Sequence, residues 1–514
     1  MDCTFLIASS LKKSYQELSK KYSAIEPPTW ALLLAQSCRS IGFKVSILDA
    51  NAEGLNNEDV LKRLEKQNPK LICFVVYGNN VNAGTANMSG AVELADFLKK
   101  NKVKNKISFI GSHVQALPIE TLKNEKSIDF VFTNEGVYAL RNILKLKDLS
   151  ANNLKNIKGI AYRDKDNFKM NSAEIVVPNE KMDTDLPGYA WDLLPYKKKP
   201  LDLYRSPMWH AEYDYEKRSP YASLQTSLGC QFSCSFCMIN MINRDDEEEI
   251  GVAGNYSNMR FWSPSFIIRE FDKLINMGVR TIRIVDEMFL LNKKYYVPLC
   301  EMLSERNKDD SLRMWSYSRV DTIKNPEVLK LVRKAGIKWL CLGIESGEKK
   351  VRLEVSKGKF EDVDIKKVIE KVHEADIEVM ANYIYGLPGE TKESMKRTFD
   401  LSLELCTAGW NTYASMALPG SQLYKEAIDQ KMDTPKTYEA FSWHSFETMP
   451  LRTKDLTSKE ILEFRDLAFT KYHTYEPFLK RIEKRFGKTN AENIKKMAQI
   501  KLKRKILGHT IEKN

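Results

Sequence analysis

The sequence predicts an α/β fold: two successive parallel-sheet units followed by a helical C-terminal region. Residues 1–150 alternate short apolar runs with helix-length amphipathic runs, and the alternation returns from residue 221 to about residue 425. Strands separated by helices of this length pair in parallel and are covered on both faces. A third observation places the chemistry: Cys230, Cys234 and Cys237 stand at C-x3-C-x2-C, just beyond the first strand of the second unit.

Composition bounds the rest. The chain has 514 residues, 43% apolar and 29% charged, which suits a globular protein of two or three domains. No run of about 18 apolar residues occurs, so no transmembrane helix is expected. Met1 to Ala8 lacks a basic region and a long apolar core and reads as a buried strand, not a signal peptide. Nine cysteines, odd in number, point to a reducing compartment and to cytoplasmic residence. The net charge is +12, and residues 480–514 hold twelve Lys and Arg against three Glu. Such a tail is either a set of solvated helices or a surface for anionic partners. The body of the chain is too weakly basic for a dedicated nucleic-acid binder.

In the first unit, 1–150, strands are expected at 4–8, 44–48, 71–77, 107–111 and 130–132, and helices at 29–41, 60–67, 83–100 and 138–144. Ligands of such sheets sit beyond the C-terminal strand ends. Three loops qualify there: Asp49-Ala50-Asn51, Tyr77-Gly78-Asn79-Asn80 and Gly111-Ser112-His113. Alternatively, His113 is a hydrogen-bonded loop histidine. Residues 151–216 read as a connector with a Pro-bounded stretch at 186–195. They end in an aromatic, mixed-charge run at 209–215 that either lines a substrate cavity or packs on the second unit.

In the second unit, 217–430, strands are expected at 221–227, 280–285, 312–317, 339–344, 377–384 and 411–417, each followed by a helix. Ser263 and Pro264 supply the N-cap and first turn of the first of these helices. Six βα units predict a partial barrel of the TIM type, with chemistry at the C-terminal strand ends. The polar residues there are Asp286, Glu287, Ser318, Arg319, Glu345, Ser346 and the glycine Gly386. Residues 431–514 read as helical. Trp443, His444 and the Tyr472-His473-Thr474-Tyr475 run either cap the barrel or pack in its core.

Thiolates are the natural ligands of iron–sulfur clusters, which normally take four. Three closely spaced cysteines leave one iron open to a small molecule. The spacing, with Phe236 before the last cysteine, resembles the signature of the radical S-adenosylmethionine (radical SAM) superfamily. The resemblance implies a 4Fe–4S cluster on Cys230, Cys234 and Cys237, with the amino and carboxylate groups of SAM on the fourth iron. It also implies roles around SAM: Phe236 beside the cluster, Asp286 and Glu287 toward the amino group, Arg319 toward the carboxylate, Glu345 near the ribose and Gly386 near adenine, with Ser318 a further SAM-binding residue. Leu228 and Gln231 replace a usual Arg and Pro, but neither is a cluster ligand.

The first unit resembles the Rossmann-like cobalamin-binding domain that precedes the barrel in one radical SAM subfamily, which includes the class B methyltransferases. The matching pieces are Pro27-Pro28-Thr29-Trp30, Gly42-x-x-Val45-x-x-x-Asp49-Ala50, Gly111-Ser112-His113 and Asn134-Glu135-Gly136. The resemblance implies cobalamin contacts from Asp49, Tyr77, Asn79, Gly111, Ser112, His113, Glu135 and Gly136. No D-x-H-x-x-G motif occurs, so cobalt is expected to lack a protein histidine. Ser112 stands where Gly is usual, and Asn134 and Val137 interrupt a usual Gly-Glu-Gly-Glu.

The expected activity is methylation of an unactivated carbon of a small-molecule metabolite, through a 5′-deoxyadenosyl radical and methylcobalamin. A flavodoxin or ferredoxin would be the electron donor. The alternatives are a cobalamin-binding radical SAM cyclase, oxidase or other rearrangement, and a non-catalytic cobalamin or metal sensor. No phosphate loop, sugar motif or peptide-binding domain points to the substrate.

Overall fold

The computed structural model describes residues 1–78, 81–206, 220–323 and 325–511; Asn79 and the aromatic run at 209–215 lie outside the described residues. The first sheet contains seven strands: β1 Cys3–Ile7, β2 Val45–Asp49, β3 Leu71–Val75, β4 Lys106–Ile110, β5 Phe130–Phe132, β6 Ile160–Asp164 and β7 Asn167–Met170. Their order is β2-β1-β3-β4-β5-β6-β7, parallel through β5 and antiparallel from there. Helices Thr29–Arg39 and Val137–Lys145 cover one face, and Asn57–Gln67 and Gly84–Lys100 the other. Two covered faces explain why β3, Leu-Ile-Cys-Phe-Val, is apolar at every position and fully buried.

The expected strands and helices of 1–150 all form, with ends shifted by one to three residues. The connector assignment needs correction, because its first twenty residues extend the sheet. The β6–β7 hairpin turns at Lys165, whose φ is 56°, and continues the ladder from β5. Its outer strand alternates exposed and half-buried residues, so it carries no apolar run to betray it.

The strand order reverses between β1 and β3. At such a switch point the flanking loops diverge to opposite faces and leave a crevice beyond the strand ends. The residues there are Ile7 at the end of β1 with Ala8 after it, and Val76 to Gly78 after β3.

The second sheet has six parallel strands in sequential order: β8 Tyr221–Leu224, β11 Thr281–Ile284, β12 Arg313–Arg319, β13 Ile337–Glu345, β14 Glu378–Tyr385 and β15 Gly409–Ala414. Ser263 caps helix Pro264–Asn276 by accepting from Phe266 N, as expected. The strand expected at 221–227 is broken, however. The chain leaves β8 at Leu224, and β9 Ser227–Cys230 pairs instead with β10 Asn258–Phe261 in a separate antiparallel ribbon. Asp286 forces the break by accepting from Thr226 N at 2.6 Å, Thr226 Oγ1 at 2.7 Å and Ser227 Oγ at 2.5 Å.

Helix Ser458–His473 lies along β15, the open edge of the partial barrel. Arg465 Nε donates to Thr412 O at 3.1 Å and Tyr472 OH to Thr407 O at 2.7 Å, while Trp410 and Tyr472 stack at 4.8 Å. Tyr472 and His473 therefore belong to the core that closes this edge. The basic tail forms helices Glu476–Phe486 and Lys488–Ala498, and their apolar sides are buried at Phe478, Ile482, Ile494 and Met497. Arg481 and Arg485 pair with Glu378, and Phe486 stacks on Trp339. Both partners lie at the N-terminal strand ends, opposite the cysteine loop. Among the described residues no helix is long and apolar enough to cross a membrane.

The two sheets meet through buried ion pairs. Glu135 pairs with Arg260 at 2.7 Å, with side chains 1% and 2% exposed. Glu26, just before helix Thr29–Arg39, reaches into the barrel and pairs with Arg283 of β11 at 2.6 Å.

Candidate functional site

Cys230 ends β9, and Cys234 and Cys237 follow on the turn that β10 anchors. The loop holds its shape through its own backbone: Cys230 N donates to Asn240 Oδ1 at 2.8 Å, Cys237 N to Cys234 O at 3.1 Å and Ser235 N to Val355 O at 2.9 Å. All nine cysteines of the chain are free thiols. Among the described residues no three His, Cys, Asp or Glu side chains converge on a single-ion site. A cuboidal cluster binds each thiolate to a different iron, so its ligands stay apart. A lone zinc would draw them together. Burial pushes the Cys230 thiol up to about 12 and the Cys234 thiol to about 11, so metal capture there displaces protons.

Two carboxylates face this loop without a hydrogen-bond partner among the described residues. Glu287 is held close to Cys237 and Cys230, and burial raises its carboxyl to about 7. Glu345 is close to Cys234, and burial likewise raises it to about 7. Its backbone is at φ 64°, the left-handed region, where the β13–β14 register shifts. A non-glycine residue in that region costs energy and is a recurrent mark of functional sites. Arg319 lies beside them, its guanidinium 3.9 Å above the Phe232 ring. Asp321 takes Nε and Nη2 at 2.7 and 2.5 Å, while Nη1 is buried without a hydrogen-bond partner. Two unpaired carboxylates and one free guanidinium nitrogen beside three thiols suit SAM, which carries an ammonium, a sulfonium and a carboxylate.

Other residues assigned to SAM have partners within the chain. Asp286 accepts from Thr226 and Ser227 through both oxygens and so orients the cysteine ribbon. Ser318 shares a hydrogen bond with Thr322 at 2.8 Å. Gly386, at φ 80°, faces Ile461 of the C-terminal helix, 2.6 Å from where a Cβ would stand, so the glycine makes room for that packing. Glu390, fully buried, closes that turn by accepting from Ser346 Oγ, Gly386 N and Leu387 N. Phe236 packs between the cysteine loop and the apolar clusters beside it.

Between the two sheets lies a cavity of about 390 Å³. One wall is the β1/β3 switch point, with Ala8, Val76, Tyr77 and Gly78; the other is a belt across the barrel interior, with Ser223, Arg283, Tyr317, Cys341 and Met380. The belt follows from register, since Arg283 pairs with Ser223, Tyr317 with Cys341 and Cys341 with Met380 on neighbouring strands. Among the described residues, six buried polar atoms of lining residues have no hydrogen-bond partner: Ser14 Oγ, Asn51 Oδ1, Ser223 Oγ, Arg283 Nε, Trp410 Nε1 and Thr412 Oγ1. Buried polar groups are normally paired, so these are the contacts a polar ligand would complete. A cobalamin seated at the switch point fits this wall, and Tyr77, Gly78 and Asn51 are the residues that would hold it.

The other residues assigned to cobalamin have partners within the chain. Asp49 caps its own helix through Ala52 N at 2.9 Å and accepts from Tyr204 OH at 2.9 Å; burial raises it to about 6. Gly111 is required because a Cβ would stand 2.2 Å from Val76 O, a contact between neighbouring loops. Ser112 donates to Val81 O at 3.0 Å. Glu135 accepts from Val177 N at 2.5 Å as well as pairing with Arg260, and Gly136 starts helix Val137–Lys145.

His113 is packed edge-on to Tyr438 at 5.2 Å and shares a contact with Thr85 at 3.3 Å, away from the cavity wall. Burial lowers it from 6.5 to about 4. The unfolded chain therefore takes up a proton below pH 6.5 that the folded chain refuses until about pH 4. The stability from neutral His113 is full above pH 6.5 and is lost as pH falls toward 4, amounting to about 2 kcal/mol at pH 5. Denaturant midpoints of wild type and His113→Gln at pH 7 and pH 5 should show a gap that shifts by that amount in the variant's favour at pH 5. An unchanged gap would place His113 in solvent.

Three residues escaped the sequence reading: Glu26 and Arg283, which line the cavity, and Asn82, which reaches the cysteine loop. Glu26 and Arg283 lie on a loop and mid-strand rather than at a strand end. Asn82 lies two residues beyond the loop that was singled out, in the turn Val81–Ala83.

Comparison with known proteins agrees with this arrangement. A model of the radical SAM superfamily matches residues 224–402, and a B12 binding domain model matches residues 18–144. An anaerobic magnesium-protoporphyrin IX monomethyl ester cyclase of Cereibacter sphaeroides is 24% identical over 454 residues, covering 85% of this chain and 65% of that protein. An uncharacterized methyltransferase of Pyrococcus horikoshii is 24% identical over 453 residues, covering 87% and 88%. The fold is that of the cobalamin-dependent SAM radical enzyme OxsB, solved with aqua-cobalamin and SAM: the TM-score is 0.64 at 16% identity, over 96% of this chain and 70% of that one. The thiol trio at one barrel mouth and the switch-point cavity beside it thus coincide with the two matched domains. The chain belongs to the radical SAM superfamily, in the subfamily with a cobalamin-binding domain, and is an enzyme whose cofactors are a 4Fe–4S cluster, SAM and cobalamin.

Proposed function

We propose that this enzyme methylates an unactivated carbon of a small-molecule metabolite. The observation that carries the reading is the cavity itself, which has the cobalamin-side switch point on one wall and the barrel interior on the other. When bound, the cofactors supply a 5′-deoxyadenosyl radical for hydrogen abstraction and a cobalt-borne methyl group. The chain's own residues do the rest. Glu287, Glu345 and Arg319 orient SAM by charge. The belt at Ser223, Arg283 and Tyr317 meets the substrate, and Trp30, Tyr77 and Trp443 exclude water with their rings. A flavodoxin or ferredoxin would supply the electron. The methyltransferase relative from Pyrococcus horikoshii supports this reading, as does a cytidylyl-2-hydroxyethylphosphonate methyltransferase of Streptomyces wedmorensis, 22% identical over 457 residues.

The second reading is a cyclisation or oxidation without methyl transfer, favoured by the cyclase relative. Product analysis separates the two. Anaerobically reconstituted, reduced enzyme that transfers methyl groups forms S-adenosylhomocysteine as well as 5′-deoxyadenosine from SAM. A cyclase forms 5′-deoxyadenosine alone, and that result would sink the methylation reading. No SAM consumption at all would leave only a sensor.

A further inference from the structure

Among the described residues, a side chain from a turn of the first unit forms hydrogen bonds with the cysteine loop. Asn82 sits in the turn Val81–Ala83, immediately before helix Gly84–Lys100. Its Oδ1 accepts from Met238 N at 3.1 Å. Its Nδ2 points at Cys237 Sγ, 4.0 Å away. The first contact determines the second: Met238 N can only donate, so it takes the amide oxygen and turns the NH2 group toward the sulfur. The turn is braced from its own side, where Ser112 Oγ donates to Val81 O at 3.0 Å and Asn87 Nδ2 to Tyr77 O at 3.3 Å. Ala83 and Asn87 also line the cavity between the sheets.

We propose that Asn82 is a positioning residue for the cluster: it donates a hydrogen bond to the Cys237 thiolate across the domain boundary and raises the cluster's reduction potential. This rests on the cluster assignment made above. A reduced cluster carries one more negative charge than an oxidised one, and a donor aimed at a ligand sulfur stabilises the reduced form more. Because the donor stands on the cobalamin-side turn, a ligand in the cavity bears on the same segment that tunes the cluster. The two cofactor sites are thereby coupled through a single amide.

The test is an EPR-monitored redox titration of the anaerobically reconstituted, cobalamin-loaded enzyme, with iron content measured alongside. Asn82→Ala removes the donor and should leave about tenfold less reduced cluster at a fixed potential, a downward shift of about 59 mV for a one-electron couple. Asn82→Asp keeps the acceptor for Met238 N but turns an anionic oxygen toward the sulfur, and should shift the potential further down. Full iron content with wild-type potentials in both variants would overturn the proposal. Loss of the cluster from both, with the fold and cobalamin retained, would also overturn it by reducing Asn82 to a brace for the loop. A wild-type protein that holds no cluster would instead refute the cluster assignment, and the proposal with it.

Discussion

Cys234→Ala should abolish 5′-deoxyadenosine formation, reducing it to reagent background, and should remove the cluster's visible absorbance while leaving cobalamin bound. The reason is stoichiometric. Three thiolates leave one iron open for SAM, whereas two leave a pair of open irons, and the cluster is lost. The fold should survive, because Cys234 is only half-buried and its loop-organising contact, from Cys237 N to Cys234 O, is a backbone bond that alanine keeps. Cysteine loop geometry rests on the β9–β10 ribbon and on Asn240, neither of which the substitution touches. The measurement is an absorbance spectrum and a SAM-cleavage assay on the reconstituted variant. Loss of cluster and cobalamin together would indicate misfolding. Retention of SAM cleavage would remove Cys234 from the ligand set.

Breaking the Glu26–Arg283 pair is expected to have the largest effect on stability. Both side chains are buried, 6% and 4% exposed, and Tyr221 OH donates to the same carboxylate at 3.3 Å. Removing one partner leaves the other charge unpaired in the barrel interior, at a cost of about 3–5 kcal/mol. Glu26→Ala and Arg283→Ala should each lower the urea midpoint accordingly. The paired replacement Glu26→Leu with Arg283→Met removes both charges at similar volume and should recover most of the loss. Turnover should not return with stability, because both side chains line the cavity and Arg283 presents an unpartnered Nε to it. A double variant as unstable as the single ones would show that packing, not charge, is what the pair supplies.

The alternation of buried strands and amphipathic helices located nearly every element of both sheets, because burial on two faces demands an unbroken apolar strand at each position. The cysteine spacing located the chemistry for a similar reason: three ligands within eight residues are close in space whatever the fold around them. The β6–β7 hairpin went unread because its outer strand is half solvated. The break after Leu224 went unread because it depends on Asp286, sixty residues further on. Among the expected site residues, Asp49, Gly111, His113 and Gly386 stand at the predicted strand ends, yet their side chains or missing Cβ atoms are consumed by local packing.

By itself the sequence determined the fold class and the three thiols, written in local periodicity and in a short spacing, and its motifs resembled those of the two domain families. Only the tertiary structure decided which polar groups remain unpaired. Among the described residues no hydrogen bond reaches Glu287, Glu345 or one arm of Arg319 at the barrel mouth, whereas Asp286 and Asp49 are satisfied within the chain. It also brought Glu26 to Arg283 and Asn82 to Cys237 across the boundary between the sheets. The physical reason is that a side chain's availability to a ligand is what remains after every neighbour has claimed its hydrogen bonds, and those neighbours come from distant parts of the chain.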